Sequence, residues 1–247
     1  MTVSKSIVVT GASRGIGAAI AVELAQRGHV VGCLSRRGAG PEGVEVEAEV
    51  GARLIGLAGD VTDPAAMEAA FAGFAARVGR IDGLINNAGI HLEAPAHRQA
   101  LDEFELVLRT NATAVFSACQ KIHPHLKESG GLIVNIGSIF DRMGVRRNAA
   151  YCASKAAVAA IGRCLAVEWA AQRIRVLTVA PGYIETDLNR DFLASDRIRD
   201  FLAARIPTGG PATPDSVARL IASLVAEDIP FLTGETIYLD GGQSMAL

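Results

Sequence analysis

The sequence lacks the cysteine and histidine patterns of disulfide-linked or metal-binding proteins. It has only four cysteines and no C-x-x-C pair, and three of the four fall within helical patterns. We therefore expect free, buried thiols at Cys33, Cys119, Cys152 and Cys164. The single close histidine pair, His123 and His125, encloses a proline and has no third ligand nearby. This pair indicates a helix end at the surface, and we predict no metal site.

The sequence also lacks a strong charge of either sign and a long apolar run. The 24 basic and 26 acidic side chains leave a net charge of −2, which gives no field for nucleic acid or for a membrane surface. No run of about 18 apolar residues occurs, and the opening "MTVSKSIVVTGAS" does not resemble a signal peptide. We predict a cytoplasmic protein without membrane or nucleic-acid partners. No linker-like stretch divides the chain, so residues 1–247 are predicted to form one domain.

What the sequence does have is a regular alternation of short β-branched runs with helical patterns. Segments such as "GAAIAVELAQRG" carry apolar residues at i, i+3 and i+4 and end at glycine or a polar cluster. Strands that alternate with helices form a parallel, doubly wound α/β sheet with helices on both faces, which is a three-layer sandwich. The predicted strands are residues 6–10, 30–34, 53–59, 83–87, 131–137, 175–180 and 236–240.

A glycine-rich turn follows the first predicted strand, in "VVTGASRGIGAAIAVELA". Gly11, Gly15 and Gly17 stand where the strand passes into a helix, whose N-terminal N–H groups suit a pyrophosphate. Any tight connection can use glycine, and the spacing G-x-x-x-G-x-G differs from the general dinucleotide fingerprint. Its position after the first strand of a βαβ unit nevertheless predicts a dinucleotide site.

A tyrosine and a lysine stand four residues apart in "YCASK". Tyr151 and Lys155 could be two edge residues of a packed helix, yet this spacing also places both side chains on one helix face. A unit positive charge about 5 Å away, at an effective dielectric of about 20, favours a phenolate by about 3 kcal/mol. We therefore expect Lys155 to lower the pKa of Tyr151, so that the phenol exchanges protons with an alcohol or ketone oxygen.

Six ordered motifs resemble those of the short-chain dehydrogenase/reductase family over essentially the whole chain: "TGASRGIG", "NNAG", a mid-helix asparagine, "NIGS", "YCASK" and "APGYIETD". The resemblance implies a Rossmann-like fold and hydride transfer between a nicotinamide and a carbonyl or alcohol carbon. It implies that Ser138 orients the substrate oxygen, that Tyr151 is the general acid or base, and that Lys155 also holds the nicotinamide ribose. Asn111 is similar to the family residue that anchors a water in a proton relay, although it could be only a helix kink or a core hydrogen bond.

The resemblance also implies the cofactor-binding residues. Asn87, Ala88 and Gly89 would line the adenosine ribose, and Asp60 with Val61 would contact the adenine. Alternatively, "NNAG" is only a strand-ending turn, and Asp60 caps the helix that begins near Pro64. The full predicted set is Gly11, Ser13, Arg14, Gly15, Ile16, Gly17, Ser35, Arg36, Asp60, Val61, Asn87, Ala88, Gly89, Tyr151, Lys155, Pro181, Gly182, Ile184 and Thr186.

The residues after the second strand bear on the choice of cofactor. NAD sites usually carry an acidic residue there, whereas this chain has Ser35 followed by Arg36 and Arg37. Because guanidinium groups bind a 2′-phosphate that a carboxylate would repel, we predict NADP(H), held by Arg14, Ser35 and Arg36. Ordinary solvated loop arginines are the alternative, above all for Arg37.

The substrate is the least determined part of the prediction. Residues of about 186–214 lie where the family places its substrate lid. The best guess from the resemblance is a 3-oxoacyl thioester of acyl carrier protein or coenzyme A. Another small ketone, a sugar or a cyclic alcohol is the alternative, and an NADP(H)-sensing protein without chemistry is the non-enzymatic one.

Two further predictions concern surfaces. Arg142, Arg146 and Arg147 lie between Ser138 and Tyr151, where they either attract an anionic substrate or are merely solvated. The segments 101–127 and 151–171 are apolar over much of their circumference, which indicates that both sides are covered. The family resemblance implies a homotetramer built on these helices and the last strand.

Overall fold

The strands of the computed structural model, which describes residues 3–186 and 195–245, form one parallel sheet. Their order is β3-β2-β1-β4-β5-β6-β7, so the chain winds outward in both directions from the boundary between the first and fourth strands. This confirms the predicted doubly wound sheet, and all seven predicted strands are present. Their bounds are β1 Ser6–Thr10, β2 Val30–Ser35, β3 Leu54–Ala58, β4 Gly83–Asn86, β5 Gly131–Ile136, β6 Ile174–Pro181 and β7 Thr236–Leu239.

Eight α-helices lie in the described parts of the chain. They are α1 Gly15–Gln26, α2 Ala48–Gly51, α3 Pro64–Val78, α4 Leu101–Leu108, α5 Ala114–Leu126, α6 Ala149–Trp169, α7 Asp196–Arg205 and α8 Pro214–Ala226. A five-residue π-helical segment, Arg109–Thr113, joins α4 to α5, so the predicted single helix is interrupted. Short 3₁₀ turns cover Ile139–Asp141 and Ala170–Gln172. The predicted lid falls partly outside the described residues, at 187–194.

Alternate side chains of the central strands enter two separate cores. Ile7 and Val9 of β1 pack toward α1 and α8, where Leu24 and Ile221 are fully buried. Val8 points to the opposite face, into a core that includes Phe71 of α3. Because successive side chains of a strand point to opposite faces of the sheet, one strand contributes to both cores. The sheet is therefore covered on both sides, as the three-layer prediction requires.

The longest helix of the described residues, α6, packs in the second of these cores. Among the described residues, one helix, Ala149–Gln172, is long and apolar enough to cross a membrane by length and composition, and 44% of that window is buried here. Val158, Leu165 and Trp169 pack in the same core as β6. A core helix passes the same compositional criterion. The cytoplasmic location stays a prediction.

The structural alternative for Asp60 and the prediction of four buried thiols are both wrong. Asp63, not Asp60, caps α3: its carboxylate accepts hydrogen bonds from Ala65 N–H and Ala66 N–H at 2.9 and 3.1 Å. Proline at the first helical position explains this start, because Pro64 lacks the N–H that a helix end would leave unpaired. The thiols are not all buried either. Cys33 and Cys119 are buried, Cys152 is half-buried and Cys164 is exposed on the outer face of α6.

Candidate active site

The site lies at the carboxyl edge of the sheet, where β1 and β4 separate the two halves of the fold. This is the position at which open parallel sheets bind ligands. The Thr10 hydroxyl, at the end of β1, accepts hydrogen bonds from the N–H groups of Asn87 and Ala88, both at 3.0 Å. The Asn87 amide in turn donates to the Thr10 and Gly11 carbonyls at 3.0 and 3.2 Å. "NNAG" therefore fixes the glycine turn from the neighbouring strand.

The glycine turn fits a close ligand such as a pyrophosphate. Gly11 and Gly15 have φ angles of +66° and +56°, which L side chains rarely adopt. A Cβ on Gly17 would stand 2.2 Å from the Gly11 carbonyl oxygen, so only glycine fits there. The N-cap residue of α1, Arg14, makes no side-chain capping bond, and the first turn has no acidic residue. The start of α1 is thus electrostatically suited to an anion, as predicted for Ser13 to Gly17.

The loop after β2 approaches this turn. Glu42 N–H donates to the Ser13 carbonyl at 2.8 Å, which ties the loop that carries Arg36 to the loop that carries Arg14. The Ser35 hydroxyl donates to the Ala39 carbonyl at 3.0 Å and so shapes the same loop. Arg37 pairs with Glu42, as expected for an ordinary surface arginine.

Asp60 stands on the rim of the same groove. Its carboxylate accepts hydrogen bonds from the Thr62 N–H and hydroxyl at 2.8 and 2.7 Å, and these bonds lower the Asp60 pKa. The positive charge of Arg36 adds a smaller lowering of the Asp60 pKa. Val61 and Ala88 line one small cavity beside Thr10 and Asn86. The cavity brings Val61, predicted to contact the adenine, together with Ala88, predicted to line the ribose, and their roles toward the cofactor stay predictions.

The chain after β6 closes the opposite side of the groove. A Cβ on Gly15 would lie 3.7 Å from the Thr186 methyl group, so this segment reaches across to the glycine turn. Gly182 N–H donates to the Leu239 carbonyl at 3.0 Å, and a Cβ there would stand 2.9 Å from Asp240 Cα. Pro181 is the last residue of β6, and buried Ile184 forms a parallel bridge with Ala212. The predicted segment from Pro181 to Thr186 therefore lies against the cofactor groove.

Ser138 and Tyr151 meet beyond the end of β5. Ser138 is largely buried, and its hydroxyl accepts a hydrogen bond from Phe140 N–H at 3.2 Å at the start of a 3₁₀ turn. Burial raises the pKa of Tyr151 to about 12, while a hydrogen bond with Ser138 acts in the opposite direction. The expected direction of the Tyr151 pKa is therefore wrong for the chain by itself, because burial outweighs the stabilisation of the phenolate.

Lys155 lies one helical turn below the phenol. Its ammonium is 5.5 Å from the centre of the Tyr151 ring and donates to the Ile136 carbonyl at 2.7 Å. Burial lowers the pKa of Lys155 to about 8. The predicted proximity is therefore present. The burial that keeps water out also destabilises the positive charge on which the expected pKa shift depends.

Asn111 connects the loop after β4 to the start of α6. Its carboxamide accepts a hydrogen bond from Ile90 N–H and donates to the Ile90 carbonyl, both at 2.8 Å. It also donates to the Ser154 hydroxyl at 3.1 Å, and that hydroxyl donates to the Tyr151 carbonyl at 2.7 Å. The residue lies in the π-helical segment, a feature often found at functional sites. Both structural alternatives, the helix irregularity and the core hydrogen bond, are realised, and the water relay stays a prediction.

Sequence reasoning missed the side chains that surround the phenol. The His91 ring centre lies 4.6 Å from that of Tyr151, and Phe140 packs edge-on at 5.9 Å. Tyr183 lies 6.3 Å from Phe140 on the other side of the mouth. Each follows a motif that the sequence does show: "NNAG" for His91, "NIGS" for Phe140 and "APG" for Tyr183. The signal was thus an aromatic ring one or two residues after a motif at the end of a strand.

The three arginines of the connecting loop do not share one environment. Arg142 donates to the Ser244 hydroxyl at 2.5 Å and stacks on the Tyr238 ring at 3.5 Å, so it binds the C-terminal segment. Arg147 pairs with Glu93 at 3.9 Å. Arg146 is exposed and, within the described residues, has no ion-pair partner. The predicted anion-attracting cluster is therefore reduced to Arg146.

The doubly wound sheet, the glycine turn and the Ser-Tyr-Lys group at its carboxyl edge define a dinucleotide-dependent oxidoreductase. Comparison with known proteins agrees with this class. A family model described as enoyl-(acyl carrier protein) reductase matches residues 11–244. The chain belongs to the short-chain dehydrogenase/reductase family, whose members are oxidoreductases.

Two curated relatives cover nearly the whole chain. The 3-oxoacyl-[acyl-carrier-protein] reductase FabG of Escherichia coli is 37% identical over 98% of this chain and 98% of the relative. The reductase of the same description, MabA, from Mycobacterium tuberculosis is 35% identical over 98% and 94%. Among solved structures, a gluconate 5-dehydrogenase from Burkholderia cenocepacia, in complex with NADP and tartrate, has a TM-score of 0.89 and 29% identity over 100% and 98%.

Proposed function

We propose that the protein is an NADP(H)-dependent reductase of 3-oxoacyl thioesters. The observation that carries this proposal is the placement of Ser138 and Tyr151 together beyond the end of β5, with the Lys155 ammonium 5.5 Å from the centre of the phenol ring. Two adjacent hydroxyl groups can hold one carbonyl oxygen and deliver a proton to it. The names of the 3-oxoacyl reductases that match the full chain support the substrate class.

The residues of the chain divide the reaction between them. When bound, the reduced nicotinamide supplies the hydride that the carbonyl carbon accepts. Ser138 donates a hydrogen bond to the carbonyl oxygen and orients it, and Tyr151 gives its phenolic proton to that oxygen as negative charge develops there. Lys155, fixed by the Ile136 carbonyl, places a positive charge below the phenolate that this proton transfer leaves.

The cofactor proposal rests on the two arginines at the phosphate end. Arg14 extends from the glycine turn, Arg36 lies near Asp60, and the hydrogen bond from Glu42 to Ser13 ties their loops together. The last residue of β2 is Ser35, not a carboxylate. A 2′-phosphate would meet charge-assisted donors there. We expect kcat/KM to be higher for NADPH than for NADH. Arg36→Ala should reduce the ratio of kcat/KM for NADPH to kcat/KM for NADH. A wild-type preference for NADH would refute the assignment.

A substrate panel tests the rest of the proposal. NADPH oxidation is followed with 3-oxoacyl thioesters, enoyl thioesters, 5-ketogluconate and a cyclic ketone. The enoyl thioester tests the description of the family model, and the sugar acid tests the likeness to gluconate dehydrogenase. Tyr151→Phe should abolish turnover of any ketone and leave NADPH affinity within a few-fold. Substantial activity of that variant would overturn the mechanism, whichever substrate is best.

We also propose that the protein is a homotetramer. The helices that were predicted to be covered on both sides carry exposed large apolar side chains. The exposed fractions are 71% for Leu101, 39% for Phe116 and 82% for Val167. Burying a fully exposed aliphatic side chain contributes about 1.5–3 kcal/mol, so a helical face of this kind favours association. Sedimentation at micromolar concentration should give a tetramer, and Val167→Glu should weaken it. A stable monomer would reject this proposal.

A further inference from the structure

His91 is the closest ring to the catalytic phenol. The two ring centres are 4.6 Å apart with their planes inclined by 50°, while Phe140 meets the Tyr151 ring at 89°. Tilted and edge-on ring contacts of this kind stabilise a pair beyond the area that they bury. The phenol is therefore held between an imidazole and a benzyl group, and the Lys155 ammonium lies 5.5 Å from its ring centre.

The His91 ring is itself held by Asn148, the residue that precedes α6. Asn148 is 4% exposed, and its Nδ2 donates to the Arg146 carbonyl at 2.9 Å, which sets the orientation of the amide. Its Oδ1 therefore faces His91 Nε2 and must accept a hydrogen bond from it. This contact assigns the proton of a neutral His91 to Nε2.

The backbone next to His91 is fixed as well. Both polar groups of Ile90 are bonded to the Asn111 carboxamide, so the residue before His91 cannot move independently of the π-helical segment. Asn148 lies directly before the first residue of α6, and Tyr151 is the third residue of that helix. One imidazole thus connects the loop after β4 to the helical turn that carries the phenol.

We propose that His91 is a positioning residue that holds the Tyr151 ring in its proton-donating orientation, through ring packing on one side and the Asn148 hydrogen bond on the other. The inference rests on the proposed function, because it assigns His91 a role only if Tyr151 donates the proton. A displacement of about 1 Å can cost about 100-fold in rate. The glycine turn at the phosphate end is fixed by Asn87, whereas His91 contacts Tyr151 and Asn148, so we expect NADPH affinity to depend little on His91.

The test compares His91→Ala, which removes the ring, with His91→Phe, which keeps the ring and loses the hydrogen bond. The matched control is His97→Ala, an exposed histidine in the same loop. The measured quantities are the single-turnover rate of NADPH oxidation at saturating ketone, KM for the ketone, and NADPH affinity. His91→Ala should lower the rate by about 10- to 100-fold, with KM and NADPH affinity within about threefold. His91→Phe should recover most of the rate, and His97→Ala should not change it.

A second comparison isolates the hydrogen bond. Asn148→Ala should lower the wild-type rate about as little as His91→Phe does, and it should have a smaller effect in the His91→Phe background, where only the bond to the Arg146 carbonyl remains to be lost. The proposal is overturned if His91→Ala keeps the wild-type rate, if His91→Phe is as slow as His91→Ala, or if the rate loss is matched by an equal loss of NADPH affinity. It is likewise overturned if the two substitutions are additive. Activity in Tyr151→Phe would instead refute the proposed function, so the two failures are distinguishable.

Discussion

Gly17 offers a direct test of how the glycine turn is built. An alanine Cβ at this position would lie 2.2 Å from the Gly11 carbonyl oxygen and 2.4 Å from the Asn87 amide nitrogen. Attractive contacts between heavy atoms begin at about 3.5 Å, so these groups would have to move by about 1 Å. Neither group is a flexible side-chain end: one is backbone, and the other donates to the Thr10 and Gly11 carbonyls.

Two opposing terms set the expected size of the effect. Overpacking a rigid site costs about 1–3 kcal/mol, whereas alanine in a helix is better than glycine by about 0.5–1 kcal/mol. Since the clash is with fixed groups, we expect Gly17→Ala to destabilise the protein by about 1–2 kcal/mol. For a chain of 247 residues this lowers Tm by roughly 2–8 °C. It should also weaken NADPH binding, because the turn that would hold the pyrophosphate is displaced.

Gly73 on α3 is the matched control. It is also a helical glycine, but a Cβ there would meet nothing within 4 Å. Gly73→Ala should therefore raise Tm by roughly 1–4 °C and leave NADPH affinity unchanged. Calorimetry of both variants, with and without NADPH, measures the two effects. If Gly17→Ala has the Tm and NADPH affinity of Gly73→Ala, the close approach of the turn to Asn87 does not constrain this site.

Three further predictions concern stability and pH. Burial lowers the pKa of His29, so the folded state binds a proton there less readily than the unfolded state does. The free energy of unfolding should therefore fall as the pH drops from about 6.5 toward the lowered folded pKa. The urea midpoint should fall less over this range in His29→Gln than in the wild type. Burial lowers the pKa of Lys155 to about 8, so wild-type stability should rise from pH 8 toward about 10.5, a rise that Lys155→Met should lack in the same assay. Asp63→Ala should cost about 1 kcal/mol through the lost α3 cap, seen as a lower Tm, with unchanged kcat. Equal pH profiles for variant and wild type, or an unshifted Tm for Asp63→Ala, would contradict these assignments.

The sequence predicts the sheet well because each buried strand is a short β-branched run between helical patterns. The interruption at Arg109–Thr113 could not be predicted in this way, since an extra residue in a helical turn leaves the apolar spacing on either side intact. The sequence does not indicate that the apolar face of α8 packs on α1, because a helical pattern carries no information about which element covers it. Periodicity describes one element at a time, whereas these features depend on what the element packs against.

The candidate active site likewise has features that the sequence predicts and features that it does not. Tyr151, Lys155 and Ser138 could be predicted, since each stands in a short motif with a defined position relative to a strand or helix. The direction of the Tyr151 pKa could not, because it depends on how deeply the ring is buried. The different environment of Arg142, compared with Arg146 and Arg147, could not be predicted from the sequence either. Arg142 stacks on the Tyr238 ring and donates a hydrogen bond to Ser244, and both residues lie about a hundred positions further along the chain.

The π-helical segment between α4 and α5 makes this region sensitive to the insertion or deletion of residues. Removing one residue from Arg109–Thr113 would restore an uninterrupted α-helix and turn α4 by about 100° relative to α5. The Asn111 carboxamide would then leave Ile90 and Ser154, and the phenol would lose its support from two directions at once. Substitutions on the exposed face of α4 carry no such penalty. The number of residues between Leu101 and Leu126 is therefore under stronger constraint than the identity of most of them.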